Sequence, residues 1–211
     1  MTGPLYPQPG NNANLIGKLI PHFLQTGNEV CLFSAALGED ERNLPRECFG
    51  VPVHWVTDQK RDWKRRLLYP AISKATDPNG FSDALQVQIL LRELKEICRQ
   101  YPFDAVLSTS EPYTMACAAS QLYGGKKALY IMDPPACVSN GTETAYRNRT
   151  LPSVLKNQSA LITTPFILEA LKAHKLPLPP KVESVGFPMI TENRSEGTPR
   201  TDGKIRLLYC G

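Results

Sequence analysis

In the middle of the chain, the spacing between hydrophobic residues changes twice. The pattern is first that of a strand, then that of a helix, and then that of a strand again. A short apolar run at 104–107 ends in small polar residues. From 112 to 123 the apolar residues recur every three or four positions, as in a helix, and Gly124 and Gly125 end that pattern. A second apolar run occupies 128–132. Such a unit predicts two parallel strands whose carboxyl ends share one edge of a sheet, where ligands bind.

The same alternation extends in both directions and predicts an α/β fold. We expect an amphipathic helix at 15–24 with a kink at Pro21, strands at 29–34 and 51–56, a turn at 77–80, and then a long helix. The core positions of that helix are Val87, Leu90, Leu91, Leu94, Ile97 and Cys98. Further on, the pattern predicts helices at 151–156 and 165–174 and strands at 160–164 and 182–185. The expected fold class is a three-layer Rossmann-like domain with a mainly parallel sheet.

The domain organisation follows from composition. Residues 1–190 form the α/β domain, 191–203 read as a linker rich in polar residues, glycine and proline, and 204–211 begin a new strand that ends in glycine. A strand in that place indicates the first element of a second domain that is absent after Gly211. The first six residues are poor strand formers.

Composition excludes several classes of protein. The net charge of +4 is too small to indicate a nucleic-acid partner, and the six cysteines show neither metal-ligand spacing nor a disulfide framework. No signal peptide and no apolar run of membrane-spanning length is present. No strand leads into a G-x-G-x-x-G turn, which disfavours a nicotinamide-dependent dehydrogenase. We therefore expect a cytoplasmic protein with no metal and no bound cofactor.

One charge cluster occurs at 58–69, where five cations stand beside Trp63, Leu67 and Leu68. The cations are Lys60, Arg61, Lys64, Arg65 and Arg66. A solvated helix face is one interpretation. The other is a surface for an anionic acceptor or for the inner face of a membrane, to which the protein would bind peripherally.

The chain resembles, from about Tyr6 to Gly211, the N-terminal half of glycosyltransferases with the GT-B fold, of the family-four type. The segment 7–11 (PQPGN) is similar to the family's P-x-x-G-G loop, and 27–30 (GNEV) to its G-H-E-V. The segments 103–106, 182–188 and 205–211 are similar to the fourth strand, to the end of the first domain and to the first strand of the donor domain. Asn11 and Asn28 replace a glycine and a histidine of the family pattern. The family has a strand before the P-x-x-G-G loop and a donor-binding domain after the first domain. The resemblance therefore implies that this chain is truncated at both ends and poorly stable alone.

The resemblance implies transfer of a sugar from a nucleotide-sugar donor to a hydroxyl of a glycan or lipid-linked acceptor, with retention. It implies a donor-phosphate loop at Gly10, Asn11 and Asn12, because backbone amides at a glycine turn and a helix start can hold a diphosphate without metal. The catalytic residue implied is Asp133, which orients a sugar hydroxyl or stabilises positive charge at the anomeric carbon. The other interpretation of Asp133 is a cap on the following turn. The acceptor-binding residues are Ser108, Ser110, Glu111, Arg147 and Arg149.

Two functional hypotheses remain open at this stage. In the first, the chain is the acceptor-side half of a transferase and is inactive without its donor domain. In the second, it is a non-catalytic α/β domain that binds a ligand or a partner, as the substitutions at Asn11 and Asn28 favour. Paired glutamates encoded downstream of Gly211 would support the transferase.

Overall fold

The computed structural model describes residues 11–36, 41–57, 78–101, 103–110, 113–122, 124–132 and 145–185. The described helices are α1 (Asn11–Gln25), α2 (Pro78–Gln100), α3 (Tyr113–Ser120), α4 (Ala145–Lys156) and α5 (Pro165–Ala173). The strands are β1 (Leu32–Ala36), β2 (Glu47–Cys48), β3 (Val51–Thr57), β4 (Ala105–Thr109), β5 (Lys126–Ile131), β6 (Ala160–Thr163) and β7 (Lys181–Ser184). None of these five helices is both long enough and apolar enough to cross a membrane.

The described strands form two sheets, which corrects the expectation of a single one. Four strands pair in the order β4-β5-β6-β7 and are all parallel, as the βαβ pattern predicted. The smaller sheet has the order β1-β3-β2, with β1 parallel and β2 antiparallel to β3. The apolar pattern of a strand shows which faces are buried, but it does not show which backbone edges pair.

Two hydrophobic clusters cover opposite faces of both sheets. Phe33 of β1 and Ile131 of β5 belong to one cluster, together with buried residues of α2, α3, α4 and α5. Leu32, the neighbour of Phe33, and Tyr130, the neighbour of Ile131, belong to the other cluster, together with Ile20 of α1. Because adjacent residues of a strand point to opposite faces, both faces of β1 and β5 are buried. The described part of the chain is therefore an α/β protein.

The predicted core of the long helix is confirmed at four positions. Val87, Leu90, Leu91 and Leu94 are buried, whereas Ile97 and Cys98 are half-buried where the helix approaches its end. The turn predicted at 77–80 is wrong, because α2 already begins at Pro78. Proline is accepted in a first helical turn, where its missing N–H has no helical partner anyway.

Two other helix starts lie earlier than the sequence pattern indicated. Helix α4 begins at Ala145 rather than at Leu151, and so Arg147 and Arg149 are helical. Helix α1 begins at Asn11 rather than at Leu15, although its first residues are polar. Apolar periodicity detects only the part of a helix that packs on the core, and polar first turns escape it.

Candidate functional site

The candidate site lies where β4 ends and α3 begins. Strand β4 extends two residues further than predicted, so that Ser108 and Thr109 lie inside the parallel sheet. Ser108 is buried, and its hydroxyl donates to the carbonyl of Ala128 in β5 over 3.4 Å. This hydroxyl therefore joins two strands.

Two buried residues with hydroxyl groups, Ser110 and Thr114, lie between the end of β4 and the first turn of α3. The backbone N–H of Ser110 donates to the carbonyl of Tyr130 over 2.9 Å, which continues the ladder between β4 and β5. Residue Ser110 is 91% buried and residue Thr114 is 98% buried, and neither hydroxyl has a hydrogen-bond partner among the described residues. A buried hydroxyl without a partner costs about 1–3 kcal/mol of folding free energy. Such groups are uncommon in native proteins.

The first turn of α3 is fixed to α4 through Tyr113. The Tyr113 and Thr150 hydroxyl oxygens are 2.7 Å apart, and the Tyr113 hydroxyl also donates to the carbonyl of Arg147 over 3.4 Å. The guanidinium carbon of Arg147 lies 5.8 Å from the centre of the Tyr113 ring, a cation–π distance. The Arg147 guanidinium therefore lies over Tyr113, the first residue of α3.

Two of the described groups at the start of α3 carry positive charge. A helix N-terminus carries a partial positive charge from its unpaired amides, and all eight residues of α3 are buried, which limits screening by water. Arg147 adds a full positive charge beside that end. Tyr130 of β5 is buried, and burial raises the pKa of its hydroxyl, which therefore stays neutral at physiological pH.

The structure separates the predicted acceptor residues. Arg147 lies against Tyr113 in the first turn of α3, and Ser110 follows the last residue of β4. Ser108 is used within the sheet, and Arg149 is exposed on α4. Glu111 lies outside the described residues. Whether any of these residues contacts an acceptor stays a prediction.

The other predicted sites are described only in part. Asn11 and Asn12 are the first residues of α1, so they belong to a helix rather than to the loop that was expected. Their predicted contact with a diphosphate is not tested by this. Gly10, the catalytic candidate Asp133 and the five cations of the 58–69 cluster lie outside the described residues.

Sequence reasoning missed three residues of the site, Tyr113, Thr114 and Thr150. A signal existed for Thr114, since a hydroxyl residue in the first turn of a helix that follows a strand is well placed to meet a ligand. Tyr113 and Thr150 are 37 positions apart, and nothing in the local pattern indicates their contact.

Within the described part of the chain, no group of three His, Cys, Asp or Glu side chains is placed to hold a metal ion. No protein-family model, no curated protein and no solved structure matches this chain.

Proposed function

We propose that this chain is the acceptor-side part of a glycosyltransferase with the GT-B fold, a three-layer Rossmann-like domain. The complete enzyme transfers a sugar from a nucleotide-sugar to a hydroxyl of a glycan or lipid-linked acceptor, with retention. The observation that carries the proposal is the edge of the parallel sheet at the end of β4. There Ser110 and Arg147, which were proposed from the sequence to bind an acceptor, lie at the starts of two neighbouring helices.

The chemistry of this edge suits the binding and orientation of an acceptor. Hydroxyl and guanidinium groups donate hydrogen bonds to the oxygens of a sugar or of its substituents, and a rigid helix pair keeps these donors in place. Fixing an acceptor hydroxyl relative to a donor replaces an encounter in solution by a reaction within one complex. Asp133, which follows β5 by two positions, is proposed as the carboxylate nearest the reacting carbon.

The resemblance assigns the donor contacts mainly to the second domain of such a transferase, with the start of α1 as the contribution of this chain. A diphosphate at a helix N-terminus accepts hydrogen bonds from the free amides there. We therefore expect the 211-residue chain to bind acceptors but to transfer no sugar.

The first experiment is isothermal titration of UDP, GDP and their common sugars into a protein extended beyond both ends of the chain. Micromolar dissociation constants that are lost on Gly10→Val support the transferase and begin to identify the donor. No heat from any nucleotide contradicts it. A transfer rate from the 211-residue chain alone, measured as release of UDP or GDP in the presence of acceptor, refutes the assignment of the donor contacts to a second domain.

Acceptor binding is tested on the chain itself by saturation-transfer NMR with mono- and disaccharides. Binding that is weakened by Ser110→Ala and unchanged by Ser153→Ala supports the assigned edge, because Ser153 is an exposed serine on α4. Equal effects of the two substitutions would remove Ser110 from the site. Saccharide binding without transfer by the extended protein would favour the alternative, a non-catalytic binding domain.

A further inference from the structure

We propose that strand β7 pairs antiparallel with β7 of a second copy of this chain, at the outer edge of the four-stranded sheet. A two-fold axis through Val182 relates the two copies, and their parallel sheets join into one continuous sheet. The inference goes beyond the proposed function and does not depend on it, because β7 and the candidate site at the end of β4 lie at opposite edges of the sheet.

The first argument is the backbone of β7. In the described sheet this strand comes last in the order and pairs with β6 alone. The backbone N–H of Val185 donates to the carbonyl of Thr163 in β6 over 2.8 Å. Because the backbone groups of successive strand residues point to alternate sides, those of Ser184 and Val182 point away from β6. No residue of the described ranges bonds to these outward groups, and such an edge is a template for another strand.

The second argument is the charge pattern of β7. Lys181 and Glu183 point to the same face of the strand and form an ion pair over 3.5 Å, with side chains that are 70% and 57% exposed. In an antiparallel pair centred on Val182, Lys181 lies opposite the partner's Glu183, and two-fold symmetry repeats this contact. Opposite charges on directly opposed residues stabilise a strand pair, and like charges destabilise it. The charges therefore favour this register.

The backbone groups suit the same register. At its centre, the N–H of Val182 donates to the carbonyl of the partner's Val182, and its own carbonyl accepts in return. The N–H of Ser184 donates to the carbonyl of the partner's Pro180. Pro180 has no N–H to give in exchange, so the pairing ends there. The strand pair is short, and we expect a weak, reversible dimer.

Charged side chains and proline at a sheet edge also serve a different purpose, since they commonly prevent pairing with other chains. Such protection is strongest where the charges of two copies repel each other. In β7 the two charges have opposite signs and are two residues apart on one face, so the two-fold pairing places each beside its opposite. This edge is therefore self-complementary rather than self-repelling.

The test is sedimentation equilibrium of the 211-residue chain from about 10 μM to about 1 mM, a range suited to a small interface. We expect a monomer–dimer equilibrium. Lys181→Glu and Glu183→Lys should each weaken self-association at least about tenfold, since both opposite-charge contacts become like-charge contacts. A mixture of the two variants should associate again, because the two glutamates of one copy then face the two lysines of the other.

The controls separate the interface from net charge and from folding. Lys18→Glu changes the net charge equally at an exposed position of α1 and should leave self-association unchanged. Hydrogen exchange locates the contact. The amides of Val182 and Ser184 should exchange more slowly at high than at low protein concentration, whereas the Val185 amide, bonded to β6 within each copy, should not change. Protection of the Val185 amide in both charge variants shows that β7 is still folded onto the sheet.

Three results overturn the inference. The first is a chain that stays monomeric over the whole concentration range. The second is self-association that survives both charge reversals, which would place the contact elsewhere on the surface. The third is a mixture of the two variants that associates no better than each variant alone. Slow exchange of the Val182 and Ser184 amides that appears only on addition of an extended peptide from another protein also contradicts the pairing of two copies and assigns the edge to that partner.

Discussion

Replacement of Gly17 by alanine tests how α1 is attached to the small sheet. Gly17 is buried in α1, and a Cβ atom there would lie 2.5–2.7 Å from three ring carbons of Phe49. Phe49 and Gly50 are the two residues of the loop between β2 and β3, and both have positive φ, 54° and 75°. Asn-Gly is the usual sequence of such a turn, and a phenylalanine in this conformation is an outlier. The Phe49 ring packs against Gly17 of α1, and this packing accounts for a phenylalanine at this position of the turn.

The magnitude follows from two opposing contributions. Alanine in a helix interior is about 1 kcal/mol more favourable than glycine. The contact distances force the ring away from α1, and 38% of Phe49 is exposed, so its buried part is somewhat over half. Losing that burial costs about 1–2 kcal/mol. We therefore expect Gly17→Ala to lower the free energy of unfolding by up to about 1 kcal/mol.

The same substitution should have the opposite sign when the ring is absent. In a Phe49→Ala background, Gly17→Ala should raise stability by about 1 kcal/mol, which gives a coupling of about 1–2 kcal/mol between the two positions. The assay is urea denaturation of the unchanged chain, the two single variants and the double variant. Unfolding is monitored by the circular dichroism signal of the helices, and the four curves are fitted with a common m-value. A stabilisation of about 1 kcal/mol in both backgrounds would refute the reasoning, because the ring would then move aside at no cost.

Three further predictions concern the cap at the start of α5, the hydrogen bonds of Lys127 at the end of α3, and three partly buried thiols. Thr164 caps the start of α5, so Thr164→Ala should lower stability by about 1 kcal/mol and Thr164→Ser should not, as measured by urea denaturation. The Lys127 ammonium donates to the carbonyl of Ser120, the last residue of α3, over 3.3 Å and to the carbonyl of Leu122 over 2.8 Å. Lys127→Met should therefore lower the free energy of unfolding by about 1 kcal/mol, and an unchanged urea denaturation midpoint would contradict this. Burial raises the pKa of three thiols above the ordinary value of 9.0, so their contribution to stability is complete below pH 9 and is lost as the pH rises through the folded-state pKa. The three thiols are those of Cys31, Cys48 and Cys98. At neutral pH they should react with iodoacetamide more slowly in the folded chain than in the urea-unfolded chain. Equal reaction rates in the two states, measured by mass spectrometry, would refute this prediction.

Much of the secondary structure was predictable because its causes are local. Strand β5 and helix α5 lie within a few residues of their predicted bounds, and the stripe from Val87 to Leu94 is buried as its spacing indicated. Gly124 and Gly125, which were predicted to end a helix, both have positive φ. Periodicity, glycine conformation and proline position act over one or two turns, so a sequence carries them directly.

The candidate site was predictable only as a region. The sequence indicated the end of β4, but it ranked Ser108 with Ser110 and Arg147 with Arg149. The first pair differs because Ser108 finds the carbonyl of Ala128 on the next strand. The second pair differs because Arg147 faces Tyr113 and Arg149 faces solvent.

The sequence by itself therefore determined an α/β chain with parallel strands, the positions of most core residues and the edge at which chemistry is expected. The tertiary structure alone decided that the described strands divide between two sheets, and that Tyr113 and Thr150 join α3 to α4. It alone showed that Ser110 and Thr114 are buried without a partner. The physical reason is that edge pairing, helix contacts and hydrogen-bond partners depend on residues far apart in the chain, whose proximity no local pattern encodes.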